Sequence, residues 1–220
     1  MSLHVGMLLY PGLTQLDLTG PFEVFARIPG AKVHLAWKDT RPVVADSGLA
    51  LLPTTTLADA PPLDVLFVPG GGGQVAFLAD DVVLGFLREQ GSRARYVTSV
   101  CTGALLLGAA GLLRGYRAAT HWAYMDLLPK VGAIPVGDRV VVDRNRITAG
   151  GVTAGIDFGL RVMAELAGEV TAKRAELMME YDPAPPFRSG HPRIADAALV
   201  EAAKRALAES VAKRTALLQG

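Results

Sequence analysis

The chain has 220 residues, 50% of them hydrophobic and 20% charged, with a formal net charge of +1. That length supports one substantial hydrophobic core, and that balance belongs to a folded globular protein rather than a disordered chain. Lys and Arg are interspersed with Asp and Glu without a basic stripe, and no apolar run approaches the roughly 20 residues of a membrane span, so neither nucleic acid nor membrane is an expected partner.

From the N-terminus, Val5 to Tyr10 is an apolar run of strand length that ends at a Pro11-Gly12 turn, without the cleavage pattern of a secretory signal. Asp17 follows, just ahead of a helix expected over Pro21 to Ala26 that opens at Thr19-Gly20-Pro21. An aspartate there suits two roles, a helix N-cap or an acid at the end of a strand. Val33 to Trp37 is the next expected strand, and Val43 to Val44 and Leu49 to Leu52 are expected as hairpin strands. Val65 to Val68 then leads into Pro69-Gly70-Gly71-Gly72-Gly73. This loop lacks the Lys-Ser/Thr ending of a phosphate loop and the G-x-G-x-x-G spacing of a dinucleotide site. It reads either as a turn that needs glycine for steric reasons or as a row of N–H groups, Gly71 and Gly72 among them, facing developing negative charge.

A helix over Val82 to Gln90 precedes a strand over Tyr96 to Val100, which runs into Ser99-Val100-Cys101-Thr102-Gly103. A nucleophile between small residues where a strand gives way to a helix is the arrangement of a nucleophile elbow. The N-terminus of the helix expected over Gly103 to Gly111 favours a thiolate, so a lowered thiol pKa is expected. The competing reading is a buried cysteine that packs as a small hydrophobe. With one cysteine there is no internal disulfide, which fits a cytoplasmic setting, and His4, His34, His121 and His191 are too dispersed for a metal site.

His121 opens a helix expected over His121 to Leu128, after Ala118-Ala119-Thr120 at a strand end, and stands either near the sulfur or as a structural group. The Trp122–Tyr124 pair reads as core packing. A hairpin strand at Val140 to Val142, a strand at Ile147 to Ala149 and a helix over Ala154 to Ala167 follow, with Gly150 and Gly151 in the loop expected to line the site. The proline cluster Asp182-Pro183-Ala184-Pro185-Pro186 ends the body. The expected organisation is therefore an α/β body over residues 1–182 and, over 183–220, a Pro-rich connector with an amphipathic helix from Ile194 to Leu218 that packs on the body or on a second subunit. The alternation of elements predicts a single-domain, flavodoxin-like α/β sandwich, with a mostly parallel central sheet covered by helices on both faces and ligands at the carboxyl ends of its strands.

Several motifs then occur together and in order: Tyr10-Pro11-Gly12, Leu16-Asp17, Gly20-Pro21-Phe22-Glu23-Val24-Phe25, Val68-Pro69-Gly70-Gly71, Ser99-Val100-Cys101-Thr102-Gly103-Ala104, Thr120-His121-Trp122 and Thr148-Ala149-Gly150-Gly151. The set resembles the ThiJ/PfpI superfamily, also called class I glutamine amidotransferase-like proteins, and within it the isonitrile hydratases, whose tail Glu180-Tyr181-Asp182-Pro183-Ala184-Pro185-Pro186-Phe187 also resembles. Many superfamily members carry a His directly after the cysteine. Thr102 stands there in this chain, which suits an isonitrile hydratase better than a protease or amidotransferase triad.

The resemblance implies Cys101 as nucleophile, Asp17 as proton-handling acid and Thr102 as their polar partner, with no cofactor, a small isonitrile as substrate and a homodimer. The implied chemistry is protonation of the isonitrile carbon by Asp17, addition of Cys101 to give a thioimidate, and release of an N-substituted formamide by water held at Thr102, with the N–H groups of Gly71 and Thr102 stabilising charge. A carboxyl beside a sulfur is expected to share one proton with it. Two rival readings stay open. One is a ligand-sensing domain like that of AraC-type regulators, which continue into a DNA-binding domain where this chain offers only a connector and one helix. The other is a different superfamily activity, such as glyoxal or amide hydrolysis.

Overall fold

The computed structural model describes residues 2–218. Its strands are β1 (Leu3–Leu8), β2 (Ala31–Trp37), β3 (Val43–Val44), β4 (Ala50–Leu51), β5 (Thr55–Thr56), β6 (Val65–Val68), β7 (Tyr96–Val100), β8 (Arg117–Ala118), β9 (Ile134–Pro135), β10 (Val140–Asp143) and β11 (Arg146–Ala149). The helices are α1 (Gln15–Phe25), α2 (Asp81–Arg93), α3 (Gly103–Ala109), α4 (Ala154–Ala167), α5 (Glu169–Met178) and α6 (Ala197–Leu217).

Seven strands form the main sheet in the order β10-β11-β7-β6-β1-β2-β5. Every pairing in it is parallel except the β10–β11 hairpin at one edge. The central strands β6 and β11 are buried along their whole length, as a parallel sheet covered on both faces requires. The core is contiguous, and its largest aromatic contacts tie α1 and α4 to the sheet: Phe25 packs edge-on against Phe67 at 6.0 Å and against Phe158 at 6.0 Å. This is the expected mostly parallel α/β sandwich.

Boundaries shift where local signals mislead. Helix α1 begins at Gln15 rather than near Pro21, so Pro21 lies inside it. Proline cannot donate to the carbonyl four residues back, which here is that of Asp17, so packing of the buried face carries a turn that backbone bonding alone would not. The segment over Trp122–Leu127 is a 3₁₀ helix instead of an α-helix. Helix α5 and the short strands β5 and β9 had no expectation behind them, because two-residue strands carry no periodicity and α5 exposes Val170, Leu177 and Met178, whereas β8 ends at Ala118, where a strand end is expected.

Candidate active site

The loops after β1, β6, β7 and β11 meet at one end of the sheet, because these strands are adjacent and parallel. They bring Asp17, Gly70–Gly71, Cys101–Thr102 and Gly150–Val152 together. Cys101 has φ 56°, the left-handed conformation of a nucleophile elbow, which costs a non-glycine residue of the order of 1 kcal/mol or more. Neighbours over-determine it. The Cys101 N–H donates to the carbonyls of Ala149 (3.1 Å) and Gly150 (2.9 Å), and Thr120 Oγ1 donates to the Cys101 carbonyl at 2.7 Å.

Gly103, two residues on, is small because a Cβ there would collide with the Val68 carbonyl and stand 2.8 Å from that of Pro69. Backbone cannot move aside cheaply, so Gly103→Ala should lower stability by about 1–3 kcal/mol, read as a lower urea midpoint with an unchanged slope.

Asp17 is fully buried and does not cap its helix; the N-cap is Thr14, without a side-chain bond. Its carboxyl turns inward. Oδ2 accepts from the Gly70 N–H at 3.0 Å, the carboxyl stands beside the Cys101 thiol, and Oδ1 is buried without a hydrogen-bond partner. A Cβ on Gly70 would lie 2.6 Å from Thr102 N and 2.7 Å from both Asp17 Oδ2 and Cys101 Cβ, so glycine alone lets the three converge. Burial, which one N–H and one thiol do not offset, raises the carboxyl to about 7, and the nearby Asp46 adds to the effect.

The thiol departs from the expectation. It receives the N–H groups of Thr102 and Val152, as a helix start should provide, yet its pKa is raised because the residue is buried and the sulfur faces Asp17. Desolvation outweighs two amides at the start of a short helix. Below pH 7 Asp17 and Cys101 are therefore both protonated, Asp17 loses its proton as pH rises through about 7, and the pair titrates as a unit. Iodoacetamide should label Cys101 slowly at pH 7, and Asp17→Asn, which removes the like charge, should shift the alkylation profile to lower pH; an unshifted profile would show that the two groups do not communicate.

The other expected residues fall into place around this pair. Thr102 is buried, and its Oγ1 accepts from the Gly71 N–H at 3.1 Å, so that amide is already engaged while the hydroxyl keeps its proton to donate. Gly72 is exposed at the start of a 3₁₀ turn and points into open space. The Gly150 carbonyl serves the elbow.

Gly151 lies under His121, since a Cβ there would meet the ring at 2.5 Å. His121 accepts from the Ala123 N–H through Nδ1, and burial lowers its pKa, so it is neutral at pH 7. Among the described residues it makes no hydrogen bond to Cys101. Beside the elbow opens a cavity of about 650 Å³, walled by Thr120, His121, Trp122, Met125 and Val152, with Arg193 of the C-terminal segment on the far side. No group of three or more metal-ligating side chains occurs among the described residues.

Four residues join the site without an expected role in it: Gly70, Thr120 and Val152, which lie in or beside the motifs, and Arg214. Val152 has φ 32° and aims its N–H at the sulfur. Arg214, from the last helix, reaches the glycine loop with Nη2 3.0 Å from the Gly71 carbonyl.

The chain is 55% identical to an isonitrile hydratase of Pseudomonas putida over 219 residues, covering 100% of this chain and 96% of that enzyme. It is 31% identical to the HTH-type transcriptional regulator GbdR of Pseudomonas aeruginosa, but matches only 50% of that regulator's length. A ThiJ/PfpI family protein from Pseudomonas syringae superposes with a TM-score of 0.98 at 48% identity, over 100% of this chain and 92% of that one. The sequence profile of the DJ-1/PfpI family matches residues 4–165, and the chain belongs to that family.

Proposed function

We propose that this protein is an isonitrile hydratase that converts an isonitrile and water to an N-substituted formamide through Cys101. One observation carries the reading: a fully buried carboxyl, its pKa raised to about 7, beside the chain's single thiol. The isonitrile carbon is a base as well as an electrophile, so it needs a proton and a nucleophile side by side. In the addition step Asp17 delivers a proton to the carbon and takes up the thiol proton as sulfur bonds to that carbon, giving a thioimidate with no net change in the carboxyl. Water positioned by Thr102 then adds to the thioimidate carbon. The carbon–sulfur bond breaks, the proton returns to sulfur and the formamide leaves. No step calls for a cofactor.

The identity to the Pseudomonas putida enzyme over its whole length supports this substrate class. Trp122, Met125, Val136 and Val152 in the cavity wall, which Asp138, Arg139 and Arg193 share, suit a hydrophobic side group, and the exposed apolar residues of α5 suit contact with a second copy in a cytoplasmic homodimer. Purified protein incubated with cyclohexyl isonitrile, a glyoxal and a simple amide in parallel should release a formamide, followed by NMR, from the first alone. Turnover of the glyoxal or the amide without formamide production would replace this reading.

A further inference from the structure

We propose that Arg214 is a positioning residue for the Asp17–Cys101–Thr102 site, acting from the C-terminal helix through the Gly70–Gly71 strap. The inference rests on Cys101 and Asp17 being the working pair. It lies outside the matched family region, which ends at residue 165.

Arg214 is 2% exposed, and no carboxylate pairs with it among the described residues. Such a charge is expensive to bury, and this one is satisfied entirely by neutral groups. Nε donates to Gln74 Oε1 (3.0 Å), Nη1 to Ser210 Oγ (2.6 Å) and the Ser210 carbonyl (3.2 Å), and Nη2 to the Gly71 carbonyl (3.0 Å), while the guanidinium lies 4.9 Å from the centre of the Tyr124 ring. If the residue served only to dock a helix, an apolar side chain would do so without the desolvation cost. In α6 the arginine is the one buried residue, which makes it the anchor and the glycine loop its target.

What it anchors is the strap that orients the site. Gly70 N–H holds Asp17 Oδ2 and Gly71 N–H holds Thr102 Oγ1. On the opposite side, the Gly70 carbonyl accepts from Thr14 N–H at 3.0 Å and the Gly71 carbonyl accepts from Arg214. The Gly70–Gly71 peptide is thus gripped from both sides, by Thr14 at its carbonyl and by Thr102 at its N–H, and Arg214 fixes the plane of the next peptide, Gly71–Gly72, at its carbonyl. Gly71 has no side chain to resist rotation about the Cα that joins the two planes, so release of its carbonyl lets the Gly71–Gly72 plane turn and loosens the neighbouring amide that sets Thr102. A guanidinium fork can reach Gln74, Ser210 and Gly71 together, which an ammonium cannot.

The test compares Arg214→Met, which keeps the apolar stem, with Arg214→Lys and with Val211→Ala, which weakens the same helix's packing and leaves the hydrogen bonds of Arg214 in place. All are assayed well below their melting temperatures. Misplacement by about 1 Å costs roughly 10²-fold in rate, so kcat for cyclohexyl isonitrile should fall by about 10- to 100-fold in Arg214→Met with KM within about threefold, and somewhat less in Arg214→Lys. Iodoacetamide, which needs no substrate assignment, should label Cys101 several times faster in Arg214→Met. Millimolar guanidinium added to that variant should restore both readouts towards wild type.

Val211→Ala should lose melting temperature and keep kcat. Should Arg214→Met prove too unstable to assay, Arg214→Lys and its labelling rate decide the matter alone. The proposal is overturned if kcat and labelling of the folded Arg214 variants stay within twofold of wild type, or if Val211→Ala loses kcat as heavily as they do. A wild type that turns over no isonitrile would sink the proposed activity and leave the labelling comparison to judge Arg214.

Discussion

Cys101→Ala is expected to remove isonitrile turnover altogether while leaving a folded protein. Alanine keeps the Cβ of the elbow, and the backbone bonds that hold φ 56° come from Ala149, Gly150 and Thr120, none of which needs the sulfur. Chemistry, by contrast, loses the only group that can form the thioimidate. Where a nucleophile acts with its partners as one unit, its removal costs on the order of 10⁶-fold in kcat, and the residual rate should approach that of buffer. Intact-mass spectrometry supplies the direct test: wild type mixed with substrate should gain the mass of one isonitrile, and the alanine variant should gain nothing. Formamide production that persists in Cys101→Ala would mean that water attacks the isonitrile directly.

Asp17→Asn should separate activity from stability in opposite directions. The amide oxygen can still accept from Gly70, but the group cannot deliver a proton, so kcat should drop by at least about 10²-fold. Stability should rise above neutral pH. Asp17 moves from 3.8 to about 7 on folding, so its contribution is fully present below pH 3.8 and is lost as pH rises through 7, where the folded protein must bury a charge. At one unit per roughly 1.4 kcal/mol the loss amounts to about 4 kcal/mol at the upper limit, and the neutral amide escapes it. The melting temperature of Asp17→Asn should therefore exceed that of wild type at pH 8, with the difference closing near pH 4. Wild-type kcat/KM should fall as pH rises through 7, where the acid deprotonates. An Asn variant that is inactive yet no more stable at pH 8 would show that the carboxyl is not buried in its acid form.

The comparison of sequence with structure divides along a physical line. The sequence alone determined what local patterns can carry. Apolar runs placed the strands β6 and β7 at Val65–Val68 and Tyr96–Val100 and the helix α4 at Ala154–Ala167, each to the residue. Alternation of strand and helix implied a parallel sheet, and small residues either side of Cys101 implied the elbow. Since parallel strands put their following loops at one end, the positions of Asp17, the glycine loop and Cys101 in the sequence were enough to gather them.

What the gathered groups do to one another was settled only by the tertiary structure. Asp17 reads equally as a cap in the sequence, and its inward turn depends on Gly70, 53 residues away. The thiol was expected to be acidic from its helix start, and desolvation by packed neighbours reversed the sign. Gly71, expected to offer its N–H to developing charge, spends it on Thr102. Nothing in the sequence separates Arg214 from the other Lys and Arg of its helix, and its contact with Gly71 spans 143 residues. Hydrophobic period is written in neighbouring residues, whereas dielectric, hydrogen-bond competition and proton affinity belong to whatever the fold packs around a group, and no window of sequence contains that.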